Sequence, residues 1–292
     1  MYEGKRIMVE RINRWAERTL GTAEARRYTV DARLNEGFLS DWAHEAAAGV
    51  QGDLAGLWDH LVMVDDSILL RLEAAVEADS AIKDIPADRG ERRNEEWVNA
   101  NREFANAMIG VGVAIDLLGH MWWINMHRSE LKDHWVPHRW EFKRSKRPRS
   151  AIHYWDAELL HDDYDQVVFR ALLSEPNDMS VSLTLRDVVR AFRHKPVHMF
   201  YDYLVIRRID RSREDQWVLV DPRLSVYEVM EARKRVNRKR PTKSKKAWDH
   251  EPGEVFFPRG ESLVLTAQEI ISSLVLYALQ THRSILNRFG AA

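Results

Sequence analysis

Residues 53–75 read DLAGLWDHLVMVDDSILLRLEAA. Leu54, Leu57, Leu61, Val64, Ile68, Leu72 and Ala75 recur at intervals of three and four, which places them on one stripe of an α-helix. A half-buried strand would alternate every second residue, and this stretch does not. The spacing predicts a long helix from about Asp53. It sets the expectation for the whole chain: a mainly α protein, a helical bundle with a small β-hairpin insertion in its C-terminal half.

The flanking segments extend the pattern. Met8, Ile12, Trp15 and Leu20 predict a first amphipathic helix. Gly21-Thr22 breaks it, with Thr22 as the expected cap of a short second piece. Ser40-Asp41 is the expected start of the next helix, and Gly49, Gly52 and Gly56 are expected to interrupt or bend it. Ile85-Pro86-Ala87-Asp88-Arg89-Gly90 reads as a linker. Beyond it, Trp97, Phe104, Met108, Val111, Ile115, Leu118 and Trp122 predict a second long helix. Residues 1–130 thus read as an antiparallel helical bundle. Ala105 to Met126 is long enough to span a bilayer, but Asn106, Asp116, His120 and Asn125 lie within it, so a buried core helix without membrane contact is expected.

Residues 131–150 are polar and basic and contain Pro137 and Pro148; they read as a connector to a third region, 151–292. There, a helix is expected from Ala157 to Ser174 and another from Thr184, with Leu185, Val188, Val189 and Phe192 on its apolar face. Phe200 to Ile206 is rich in strand formers, Asp210 to Asp215 is turn-like, and Trp217-Val218-Leu219-Val220 returns: a β-hairpin. Val255-Phe256-Phe257 and Leu263-Val264-Leu265 are expected to form another. Thr266-Ala267-Gln268-Glu269 is a capping box opening a last helix to about Asn287.

The chain has no cysteine, which excludes disulfides, thiolate metal sites and cysteine nucleophiles. With no apolar leader after Met1, a reducing, cytoplasmic setting is expected. The net charge of −1 is segregated. Residues 1–126 carry 22 acidic and 14 basic side chains, whereas 127–149 carry 8 basic and 3 acidic. Residues 233–246 carry nine cations and no anion: Arg233, Lys234, Arg235, Arg238, Lys239, Arg240, Lys243, Lys245 and Lys246. Such a run suits the phosphate backbone of a nucleic acid; it equally suits a solvated loop or one folded onto the acidic body. Trp135, Trp140 and Phe142 lie among the cations of the first basic segment. They are read as anchors of a linker on the core rather than as base-stacking platforms.

Gly-rich phosphate loops, dinucleotide fingerprints, His-Glu-x-x-His and Gly-x-Ser-x-Gly are all missing from the sequence. The remaining motif is Arg193-His194-Lys195-Pro196-Val197-His198. An arginine and a histidine at this spacing suit RNA cleavage without a metal. The imidazole moves the proton of the 2′-hydroxyl, and the guanidinium holds the oxygens of the phosphorane. Arg128/His134 and Arg147/His153 share the loose spacing. Arg193/His198 is preferred for its polar second residue, His194, and for the helix expected before it.

In these residues the chain resembles the HEPN superfamily of helical nucleases and nucleotide-binding domains, over residues 151–292 at most. The family signature is an arginine, a polar residue, then a histidine after four to six intervening positions. The resemblance implies catalytic roles for Arg193 and His198, with His194 as the polar second residue, no metal or other cofactor, and a site assembled between two subunits of a homodimer. Pro196 and the hairpin depart from the family pattern. The alternative reading of Arg193, His194 and Lys195 is that they satisfy carbonyls at a helix C-terminus.

Two further readings remain. His153, Asp156, His161, Asp162 and Asp163 carry metal-ligand chemistry, and His161-Asp162 resembles the central dyad of HD-type phosphohydrolases; an ordinary polar helix start is the preferred reading. His120, in the most apolar helix, is expected to be a hydrogen-bonded core residue. The function expected from the sequence is a HEPN-like endoribonuclease or RNA-binding protein. The alternative is a non-catalytic helical scaffold whose basic loops contact a protein partner, and the third reading is a helical metal-dependent phosphohydrolase.

Overall fold

The computed structural model describes residues 3–49, 56–87, 93–126, 128, 131, 135–136, 141–142, 204–208, 215–219, 254–256, 262–264 and 266–290. The protein is mainly α. Among the described residues its helices are α1 (Glu3–Leu20), α2 (Thr22–Ala25), α3 (Ala32–Gly49), α4 (Leu57–Asp84), α5 (Arg93–Met126) and α6 (Ala267–Gly290). Short strands follow α5: β1 (Trp135–Val136), β2 (Glu141–Phe142), β3 (Leu204–Arg208), β4 (Asp215–Leu219), β5 (Glu254–Phe256) and β6 (Ser262–Val264).

The chain divides into two compact units, each built from separated stretches. The first comprises Met1–Ala74, Val113–His161 and Val275–Ala292. The second comprises Ala75–Gly112 and Asp162–Leu274.

In the first unit the apolar stripe of α4 is buried as its spacing requires: Leu57, Leu61, Val64, Ile68 and Leu72 all face inward. Ile12 and Trp15 of α1, Leu39 and Trp42 of α3, Ile115, Leu118 and Trp122 of α5, and Leu279, Ile285 and Phe289 of α6 complete this core. Burying a side chain of this size contributes roughly 1.5–3 kcal/mol, so the core is the main source of stability. Trp42 shows how an amphipathic residue is accommodated. Its ring lies 4.9 Å from that of Phe289, and its indole Nε1 donates to Asn125 Oδ1 at 3.1 Å.

Three helix boundaries differ from the expectation. The helix α3 opens well before Ser40, at Ala32, because Asp31 Oδ1 accepts hydrogen bonds from the backbone N–H groups of Arg33 and Leu34 at 3.0 and 3.1 Å. Thr22 is already inside α2, and Gly21 is its N-cap at φ 80°, a left-handed conformation that glycine adopts without strain. The helix α4 starts at Leu57, not Asp53, directly after Gly56 at φ 77°.

In the second unit, Ala75, Val76 and Ile82 of α4, Ala100, Phe104 and Met108 of α5, and Ile270, Ile271 and Leu274 of α6 are buried together with Leu204, Trp217 and Val218 of the strands. The strands β3 and β4 form the expected antiparallel hairpin, with Leu204 opposite Leu219 and Arg208 opposite Asp215. The pair β5 and β6 forms the second, with Val255 opposite Leu263. The capping box is realised in both directions: Thr266 N donates to Glu269 Oε2 at 2.7 Å, and Glu269 N donates to Thr266 Oγ1 at 3.1 Å.

The stretch Glu95–Asn125 of α5 is long and apolar enough to cross a membrane, and most of it is buried inside the protein, as expected of a core helix. The connector contains a short antiparallel pair, β1 with β2, that its polar composition does not suggest.

Candidate functional site

The polar chemistry of the first unit is concentrated at one place on α4. Asp65 follows Val64 on the inward side of the helix and is fully buried. An isolated carboxylate there would be very costly, so it must be paired and hydrogen-bonded. It is paired on both oxygens. Asp65 Oδ2 lies 2.9 Å from the Nζ of Lys5 on α1, and Oδ1 lies 2.7 Å from Nε2 of His282 on α6. Lys5, itself fully buried, also reaches Asp66 Oδ1 at 2.6 Å and Glu36 Oε1 of α3 at 3.3 Å. Side chains from four helices thus form one network.

The network sets its own protonation. Burial opposes charge on Lys5, but the fields and hydrogen bonds of Asp65 and Asp66 outweigh it and raise the ammonium well above the ordinary lysine range. Burial likewise opposes charge on Asp65, and the hydrogen bond and charge of His282, with those of Lys5, outweigh it and hold the carboxyl below its ordinary value. The central ions are closed off. Lys5 and Asp65 have side chains with 0% exposure, whereas Glu36 and Asp66 keep 26% and 21% and form the edge that meets solvent. The arrangement fastens helices; it does not present Lys5 or Asp65 to a substrate. The ammonium occupies the space between the carboxylates, and among the described residues no group of three or more histidine, aspartate or glutamate side chains has a metal-holding arrangement.

A second polar pair lies elsewhere in the same unit. His60 of α4 and His120 of α5 face each other with their Nε2 atoms 3.1 Å apart. The ring of Trp135 lies 5.3 Å from that of His60. His120 is therefore hydrogen-bonded, as expected from its apolar helix, but half-buried rather than enclosed in the core. Trp135 is buried against the helices, which fits the anchoring role given to it. Burial pushes the His60 imidazole below its ordinary value.

Arg193, His194 and His198 lie outside the described residues, as do Arg233, Lys234, Arg235, Arg238, Lys239, Arg240, Lys243, Lys245 and Lys246, and the histidine–aspartate group from His153 to Asp163. Arg128 is described: its guanidinium binds Glu45 at 3.0 Å and lies over the Trp42 ring at 5.6 Å from the centroid, an ion pair with a cation–π contact.

Sequence reasoning misses the network around Asp65, although a weak signal is present. Asp65-Asp66-Ser67 interrupts an apolar run between Val64 and Ile68, and His282 stands in an apolar last helix. Nothing local identifies Lys5, 60 residues away, as the partner, because pairing across helices carries no spacing rule. In comparisons with known proteins, no family model, no curated protein and no solved structure matches the chain.

Proposed function

We propose that the chain is a HEPN-like, metal-independent ribonuclease or RNA-binding protein, acting as a homodimer in the cytoplasm. The observation that carries the reading is the sequence Arg193-His194-Lys195-Pro196-Val197-His198, set in a mainly helical chain that also holds nine cations in residues 233–246. The chemistry is transesterification. His198 takes the proton of the RNA 2′-hydroxyl, the 2′-oxygen bonds to phosphorus, and Arg193 holds the charge that builds on the phosphorane oxygens. The bond from phosphorus to the 5′-oxygen breaks, and that oxygen takes up a proton. The products are a 2′,3′-cyclic phosphate and a free 5′-hydroxyl, and the basic run draws the RNA in through its backbone.

The test is cleavage of single-stranded RNA by the full chain in excess EDTA. Arg193→Ala and His198→Ala are each expected to lower the rate by about 100-fold or more, the usual contribution of a positioned proton-transfer group or anion donor. Cleavage that survives both changes removes the motif from the mechanism.

A second reading is a non-catalytic helical scaffold that binds a protein partner through its basic segments. It is favoured by the use of Lys5, Asp65 and His282, all buried ionisable groups, to join helices. It predicts binding that weakens steeply with salt and no turnover.

A further inference from the structure

The His60–His120 contact has a more specific geometry than a packed polar pair. The two ring centroids are 5.4 Å apart and the two Nε2 atoms 3.1 Å apart, a difference that amounts to little more than the two ring radii. The nitrogens therefore point at one another. Lone pairs so aligned do not converge on a third point, and an ion held by both nitrogens would require the rings to turn out of this alignment. The alignment is that of an N–H···N hydrogen bond, in which one Nε2 carries the proton and the other accepts it.

Proton counting then gives three states. With both rings neutral, the bond forms between the Nε2–H of one and the bare Nε2 of the other. One added proton goes to the far nitrogen of the donor ring, and the bond becomes charge-assisted and stronger. A second added proton must go to the accepting Nε2. Two N–H groups then oppose each other across 3.1 Å, and two like charges face each other in a half-buried site.

We propose that the His60–His120 pair is a proton-operated latch between α4 and α5, closed while the two rings share at most one added proton and opened by the second. The surroundings fit this use. Asp59 precedes His60 on α4 and Asp116 lies one turn before His120 on α5, and burial of His60 works against the charge that added protons bring. From β1 the group that faces His60 is Trp135, which does not titrate and keeps that side of the pair apolar.

The test is an NMR titration of the histidine Cε1–H signals in the full chain, with His60→Gln and His120→Gln as single variants. The two rings are expected to protonate with affinities at least about tenfold apart. In His120→Gln the His60 midpoint is expected to move by a similar factor. Equal midpoints in the unmodified protein, or a His60 midpoint unchanged by loss of His120, overturns the proposal; the first needs no variant to fold. Opening is read by hydrogen exchange of peptides covering residues 57–64 and 116–124. Protection, corrected for the intrinsic pH dependence, is expected to fall about tenfold or more below the acidic midpoint. The same fall in the His60→Gln/His120→Gln double variant overturns the latch.

Discussion

Lys5 Nζ lies 2.9 Å from Asp65 Oδ2, and both side chains are entirely out of contact with solvent. The pair joins α1 to the third turn of α4, at the centre of the network that includes Glu36, Asp66 and His282. Two ions so placed gain from each other only when the geometry is good and further hydrogen bonds satisfy their remaining lone pairs and protons.

Lys5→Met is expected to destabilise the protein by about 3–5 kcal/mol, because it leaves Asp65 a buried charge without its ammonium. Lys5→Met combined with Asp65→Leu removes both ions and is expected to recover part of that loss, though His282 then loses its acceptor. Urea unfolding followed by far-ultraviolet circular dichroism checks both. A single variant with an unchanged midpoint refutes the role given to the pair.

The pH dependence of stability is set by the direction of the Asp65 shift. Its folded value lies below the ordinary 3.8, because His282 and Lys5 outweigh the cost of burial. A depressed carboxyl contributes stability that is fully present above the unfolded value and is lost as pH falls through the folded one. The network is therefore expected to hold at neutral pH and to fail below about pH 3.8. Acid titration by circular dichroism should show a loss in that range that is smaller in Asp65→Asn.

Leu204 ties the hairpin to α5 by its backbone. Leu204 N donates to Asn101 Oδ1 at 2.9 Å, and Trp97 Nε1 donates to Leu204 O at 3.0 Å. Asn101→Leu leaves a buried N–H without an acceptor and is expected to cost about 1–3 kcal/mol. The readout is faster hydrogen exchange at Leu204 and Val218. β3 begins at Leu204, a short way along the chain from His198, so the same variant also tests whether this anchor matters for the proposed RNA cleavage.

At the start of α6 the capping box is reciprocal, with Thr266 and Glu269 each serving the other's backbone N–H. Thr266→Ala is expected to cost about 1 kcal/mol, and Thr266→Ser much less, because the hydroxyl is the group that matters. Thermal unfolding compares the two.

The class of fold and most of its elements are legible in the order of residues. Period decides whether a segment can bury one face as a helix or as a strand, and capping and turn residues act within four positions. For that reason the stripe of α4, the hairpin of β3 and β4 and the Thr266–Glu269 box can all be read locally, and α3 departs from its reading only where Asp31 outcompetes Ser40 as a cap. The motif from Arg193 to His198 is also a local spacing, and the chemistry proposed for it rests on that spacing alone. Which ionisable groups meet is a matter of packing. Lys5 and Asp65 are 60 residues apart, Asp65 and His282 are 217 apart, and His60 meets His120 from another helix. A buried charge requires a partner, but burial dictates only that a partner exists; which residue supplies it depends on how the helices come together.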